Sequence, residues 1–234
     1  MADPPARITA LVERFDLPAA AGRHLAALAG LLSGDPLAPT TIRDPAMVID
    51  HHLADSLVAL ELEQVRSASA IADLGSGAGL PGLPLALALP SAAVALLESS
   101  RRKCDFLARA VAVCQARNAR VVHTRAESWR EGMGRCDVVV ARALAPLDVV
   151  AEYAGPLLRI GGTLVVWRGA RDRDAELAAA RAAAEVGLEP REIARVQPFP
   201  AAERRHLHLM SKVMETPAMY PRRPGMAAKR PLGR

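Results

Sequence analysis

The sequence predicts a doubly wound α/β sheet, mostly parallel and preceded by helices, and three observations predict it. Apolar runs of strand length alternate with helical stretches from Ala70 onward, the pattern left by βαβ crossovers that cover both faces of a parallel sheet. A glycine-rich segment, DLGSGAGLPG at residues 73–82, follows the first of these runs and precedes a helical one, at the edge where such sheets bind ligands. The last two runs have no helix between them and are expected to pair antiparallel at one side of the sheet.

In chain order, residues 4–33 read as two helices, because Leu11, Phe15, Leu25, Leu28, Leu31 and Leu32 recur at helical spacing while Pro18 and Gly22 break the stretch between them. The segment SGDPLAPTTIRDP is a linker. Asp44 followed by Pro45 supplies an N-cap and first-turn pair for one helix through AMVIDHHLADSLVALEL, ending near Glu63. Strands are expected at Ala70–Leu74, Ala93–Leu97, Ala119–Thr124, Asp137–Ala141 and Thr163–Arg168, with the edge pair near Arg191–Pro198 and Arg204–Val213. The helices between them fall at Pro81–Leu89, Arg101–Arg117, Pro146–Leu158 and Asp172–Gly187. There is no internal repeat, which excludes a solenoid. The expected organisation is a helical region over 1–63 packed on the core, a sheet domain over 64–213, and a basic tail over 214–234.

Half the residues are hydrophobic but only 3% are aromatic, so the expected core is aliphatic. The three cysteines, Cys104, Cys114 and Cys136, show no C-x-x-C spacing, which suggests neither a disulfide framework nor a metal site. No apolar run reaches the roughly 18–20 residues that span a bilayer, and the start lacks the order of a signal peptide. A cytoplasmic monomer with no membrane partner is the expectation. The net charge of +5 lies at the end, where Lys212, Arg222, Arg223, Lys229, Arg230 and Arg234 face Glu215 alone and prolines 217, 221, 224 and 231 favour an extended chain. Such a tail suits a phosphate backbone, and equally a solvated segment with no partner.

The candidate site gathers at the carboxyl ends of the strands. Gly75, Gly77 and Gly79 let the chain take positive φ and let a ligand touch the main chain, although a strict G-x-G-x-x-G would need glycine where Leu80 stands. Glu98, at the end of the second strand, is placed to accept both hydroxyl protons of a ribose; the plain alternative is an exposed glutamate. Glu127, with the backbone of Ala126, can take a proton from an adenine amine, or can be an acid favoured at a helix start. Arg142 and Arg168 end strands at the same edge and can hold phosphate, with a surface salt bridge the alternative for Arg142. His52 and Asp55, three apart on one helical face, can position a base or bond to one another.

Taken together, DLGSGAGLPGLPLA, LLESSRRKCDFL, RAESW, ARALAPL and YPRRPGMAAKRPL, with IRDP and DHHLADSL upstream, resemble the bacterial glucose-inhibited-division-B family of 16S rRNA guanine-N7 methyltransferases. The resemblance runs from about Thr40 to the C-terminus. It implies a seven-stranded fold of the S-adenosylmethionine-dependent methyltransferase type, that cofactor as methyl donor, and one guanine in the decoding-region loop of 16S rRNA, free or within the small ribosomal subunit, as acceptor. It also implies that Gly75 and Leu80 line the cofactor, that Ala126 and Glu127 hold its adenine end, and that Arg142 closes the methionine or acceptor side. The family commonly carries a tryptophan–asparagine pair and an asparagine–leucine–threonine step before IRDP, and LAGLLSGDPLAPTTIRDP has neither. Guanine N7 has an in-plane lone pair and no proton, so no general base is needed and no catalytic residue is nominated. The candidates for RNA contact are His52, Asp55, Arg142, Arg168, Arg222, Arg223, Lys229 and Arg230, with Arg142 expected to serve methyl transfer more than folding. Two other classes stay open: an NAD-dependent oxidoreductase, which would want glycine at Leu80, and a non-catalytic rRNA-binding factor, which would leave Glu98 and the glycine loop without a purpose.

Overall fold

The computed structural model describes residues 3–233. A seven-stranded sheet runs in the order β3-β2-β1-β4-β5-β7-β6, with β1 Ala70–Leu74, β2 Ala93–Glu98, β3 Ala119–His123, β4 Cys136–Arg142, β5 Leu158–Arg168, β6 Leu188–Val196 and β7 Arg205–Lys212. Every pairing is parallel except those of β7, which runs antiparallel to both β5 and β6. The chain order reverses beside β1, so the carboxyl ends of β1, β2 and β4 converge at the crevice where doubly wound sheets take ligands.

The alternation of side chains along each strand sends two sets of residues to two cores. Ile71, Leu96, Val140 and Trp167 face α6 (Gly82–Ala88) and α7 (Arg101–Val113) together with the N-terminal helices α1 (Pro4–Phe15) and α2 (Ala21–Gly34). Leu74, Leu97, Val139 and Val166 face α8 (Leu147–Ala154) and α9 (Arg173–Glu185). In α2, Leu25, Leu28 and Leu32 are fully buried. At about 1.5–3 kcal/mol per buried leucine, that stripe helps hold the helix among α1, α6, α7 and the helix that follows it, all of which it contacts. Between β3 and β4 two single 3₁₀ turns, Ala126–Ser128 and Arg130–Gly132, stand in place of a helix. The sheet face there stays open as a cleft of about 590 Å³ lined by Ala70, Ala93 and Trp129.

β5 starts at Leu158, where a helix was expected to end, instead of at Thr163, β6 starts at Leu188 instead of near Arg191, and one expected element changes in kind. Asp44 caps the helix as anticipated, accepting from Met47 N at 2.9 Å, but the single helix expected to run to about Glu63 is broken into pieces. After α3 (Pro45–Val48) the backbone widens into a π-helical turn, Ile49–Ala54, before α4 (Asp55–Leu57), a 3₁₀ turn over Val58–Glu61, and α5 (Glu63–Arg66). Hydrophobic spacing is too coarse to register one inserted residue, and such π turns concentrate at functional positions. The tail differs as well. It is not an extended strand of cations: Tyr220 and Leu232 pack against the second core, a short helix α10 forms at Met226–Lys229, and Ala227 is buried. Lys212 is buried too, donating to the Val186 carbonyl at 2.7 Å, and burial pushes its ammonium down to about 8.

The start of β3 is tied by one side chain. Asn118 Nδ2 donates to the carbonyls of Ala86 (3.0 Å), Leu89 (3.0 Å) and Ala92 (2.8 Å), joining the end of α6 to the entry of β2. Replacing Asn118 by alanine removes that donor, although Leu89 O keeps the Ala92 N–H at 3.0 Å, and is expected to cost about 1–3 kcal/mol, read as a lowered urea midpoint with an unchanged m-value. An unshifted midpoint would show that water replaces the amide at no cost.

Candidate functional site

The loop after β1 is built around a buried carboxylate. Asp73, next to last in β1, is fully buried; its Oδ2 accepts from Gly82 N at 3.0 Å, and Oδ1 has no partner among the described residues. Burial raises this carboxyl to about 6. A Cβ at Gly82 would sit 2.7 Å from Asp73 Cβ and 2.5 Å from Leu96 Cδ2, so glycine is needed for α6 to start this close to the strand. Gly75, Gly77 and Gly79 all take positive φ, as their spacing suggested. At Gly75 an added Cβ would come within 2.6 Å of Leu144 Cδ1. Leu144 belongs to the turn after β4, whose Ala143 is itself left-handed at φ 54°. Leu80 is buried beside the loop.

Glu98 closes the loop from the next strand. It is buried, not an exposed glutamate. Its Oε2 accepts from Gly77 N at 3.1 Å and its Oε1 from Ser100 N at 2.8 Å. A carboxylate has about four acceptor sites, so each oxygen keeps a lone pair for a hydroxyl. Ala126 and Glu127 lie beyond β3 on the first 3₁₀ turn. Glu127 is buried, and its Oε1 accepts from Gly225 N of the tail at 3.0 Å. The tail reaches the site.

Beyond the ends of β4 and β5 the decisive group is Asp55, which is 1% exposed. Arg142 Nη1 donates to its Oδ2 at 2.9 Å, and Arg205 Nε lies 2.7 Å from Oδ1. Arg142 also reaches the His51 carbonyl at 3.3 Å within the π turn, and Trp167 Nε1 donates to the Asp55 carbonyl at 2.6 Å. Three strand ends, β4, β5 and β7, therefore grip one helical turn. This corrects two expectations. Arg142 is no surface salt bridge: its side chain is 14% exposed and that of its partner Asp55 1%. His52 and Asp55 do not bond to each other, since the π turn gives them different partners. His52 Nε2 instead shares a hydrogen bond with Thr40 Oγ1 at 2.8 Å, its buried Nδ1 has no partner among the described residues, and burial pushes its imidazolium down to about 4.

The grouping of Arg142 with Arg168 also dissolves. Arg142 pairs in register with Trp167, on the face of the N-terminal helices, so Arg168 one residue on points to the opposite face, beside His208. Arg222 is committed to Glu152, a 1%-exposed carboxylate on α8, with Nε donating to Oε1 at 2.8 Å. Arg223, Lys229 and Arg230 keep exposed side chains. Asp73, Thr40, Arg205 and Gly225 were not among the candidates. Only Asp73 carried a signal, as an acid abutting the glycine run. Among the described residues there is no cluster of three His, Cys, Asp or Glu able to hold a metal, and no helix long and apolar enough to cross a membrane.

Comparison with known proteins follows the same geometry. A family model described as GidB, rRNA small subunit methyltransferase G, matches residues 35–207. The ribosomal RNA small subunit methyltransferase G of Rubrobacter xylanophilus is 41% identical over 196 residues, covering 81% of this chain and 75% of that protein. The protein of the same name from Synechococcus elongatus is 39% identical over 210 residues, covering 87% and 86%. Among solved structures, Aeropyrum pernix fibrillarin, in complex with natively bound S-adenosyl-L-methionine, superposes with a TM-score of 0.52 at 20% identity, over 67% of this chain and 72% of that one. A Methanococcus jannaschii fibrillarin pre-rRNA processing protein gives 0.54 at 17% identity, over 69% and 74%. At those identities the two structures speak to the fold alone.

Two measurements probe the clamp. Arg142→Ala strips Asp55 of one of its two cations and should cost about 2–3 kcal/mol, below the 3–5 of a fully orphaned buried charge because Arg205 remains; a denaturation midpoint equal to wild type would show that Arg205 alone suffices. His52 has a folded-state pKa below its ordinary value, so its contribution is present above about pH 6.5 and is lost as pH falls toward 4, amounting to about 3 kcal/mol at most. In His52→Gln the stability between those pH values should fall less steeply than in wild type, and parallel curves would deny the role.

Proposed function

The chain belongs to the GidB family, rRNA small subunit methyltransferase G, and from that premise we propose that it transfers a methyl group from S-adenosylmethionine to N7 of one guanine in the decoding-region loop of 16S rRNA. The observation that carries the reading is the closure of the Gly75–Gly79 loop onto Glu98 at the carboxyl edge of β1 and β2. Residues present fit the cofactor: a backbone cradle that a Cβ would fill, an acceptor at the end of β2, and a buried Asp73 oxygen without a partner. When bound, S-adenosylmethionine supplies an electrophilic methyl group on a cationic sulfur.

The chain's own work is alignment, which can contribute roughly 7–11 kcal/mol without any acid or base. Glu98 accepts from ribose hydroxyls while bracing the loop through Gly77. Glu127 and the Ala126 backbone take the adenine edge. Asp73 adds a negative charge beneath the loop near neutral pH, favouring a cationic ligand above it. As positive charge passes to a purine, nearby cations would oppose the transfer. Here they are quenched: Arg142 is paired with Asp55, and His52 is neutral because burial keeps its pKa near 4. The exposed Arg223, Lys229 and Arg230 attract the rRNA backbone.

Glu98→Ala should weaken binding of S-adenosylhomocysteine by about 1.5–3 kcal/mol, measured by calorimetry, and unchanged affinity would remove Glu98 from the ribose. Neutralising Arg223, Lys229 and Arg230 together should flatten the dependence of log RNA affinity on log salt by about 2–3 units; an unaltered slope would assign the RNA to other cations. Chemical cleavage at N7-methylguanine in 16S rRNA, from a strain lacking this protein and from the same strain with it restored, tests the reaction itself. A cleavage pattern that does not depend on the protein overturns it.

A further inference from the structure

The proline-rich tail does more than carry charge. Arg222 closes a loop of chain on itself: its guanidinium spans Glu152 on α8 and the carbonyl of Arg230, 2.8 Å from Nη2. Residues 222–230 are thereby cinched at their base. Within the loop, Gly225 takes a left-handed turn at φ 83° and directs its N–H to Glu127 Oε1 at 3.0 Å. Ala227, 1% exposed, anchors the short helix that follows. On either side, Tyr220 and Leu232 pack in the same apolar cluster as Ala126. Glu127, one of the two residues read as the adenine end of the cofactor site, is thus held by the tail.

We propose that residues 221–230 form the wall of the cofactor site at its adenine end, with Arg222 as a positioning residue that acts through Gly225 on Glu127. This rests on the reading of Glu127 as the acceptor for the adenine amine. The chemistry is a division of one carboxylate. Gly225 N–H occupies Oε1 and fixes the carboxylate plane, and no hydrogen bond among the described residues reaches Oε2, which is left to accept an amine. A carboxylate without the Gly225 bond would be free to turn, and would lose its aim before its charge. The wall therefore selects an amino-substituted purine over one bearing a carbonyl at the same position.

The test compares S-adenosylhomocysteine with S-inosylhomocysteine, which replaces the amine by a carbonyl, by calorimetry on the full chain. Arg222→Ala is expected to weaken S-adenosylhomocysteine about tenfold and the inosine analogue much less, so that the preference for adenine collapses. In turnover the donor KM should rise while kcat at saturation is retained. Loss of stability alone would lower the melting temperature and leave the preference intact, and that result overturns the proposal. Wild-type protein gives an independent measure if the variant fails to fold: S-adenosylhomocysteine should slow amide hydrogen exchange at residues 223–230, and unchanged exchange there also overturns it. Glu127→Gln separates the two levels of inference. If it abolishes the preference while Arg222→Ala does not, the tail's role falls and the adenine reading stands; if Glu127→Gln leaves the preference intact, the adenine reading fails and the tail's role fails with it.

Discussion

Asp55 is the point on which the architecture turns. Taking a carboxylate out of water costs several kcal/mol, and only well-placed opposite charges and hydrogen bonds offset that. Here the compensation comes from Arg142 and Arg205, while the carbonyl of the same residue takes the Trp167 indole. None of these partners is local to Asp55 in sequence. The N-terminal helices, the parallel body of the sheet and its antiparallel end must all be in place before the charge is satisfied. An apolar contact would tolerate sliding, whereas this one fixes the helices at one height above the strand ends. The π turn follows from the same demand, since widening the helix at Ile49–Ala54 releases the His51 carbonyl toward Arg142.

Much of this was legible in the sequence, for definite reasons. Buried parallel strands are near-continuous apolar runs, so Ala70–Leu74 was found to the residue and β2 to within one; β3, which is not buried, was also found to within one. The glycines were legible because positive φ admits few other residues, and Gly75, Gly77 and Gly79 all adopt it. What stayed hidden depends on distance in the chain. A charge count cannot tell a cation awaiting a phosphate from one already spoken for, and so Arg222 and Lys212 were grouped with Arg223 and Lys229 although two of the four are tied into the fold. Strand-end position likewise suggested a common duty for Arg142 and Arg168, but their registers differ by one, and one residue along a strand is the other side of the sheet.

The two faces of the sheet accordingly have separate duties. The face that carries Asp73, Glu98 and Arg142 is backed by the N-terminal helices and the π turn. The opposite face is backed by α8, α9 and the tail, which reaches the crevice from its own side through Gly225. The crevice is the one region where both layers meet. Loss of either layer would be felt there first, because a doubly wound sheet leaves its strand ends uncovered unless loops are brought to them.

The outermost strand, β6, has a register shift between Pro190 and Glu192, with Arg191 lodged in the irregularity. Proline offers no N–H, the bulge twists the backbone out of plane, and a cation repels a like neighbour. A sheet of seven strands has two free borders, and a border with an unbroken row of donors and acceptors invites a stranger's strand. Between Pro190 and Glu192 this border breaks that row, so a strand laid against it would lose its register at the bulge.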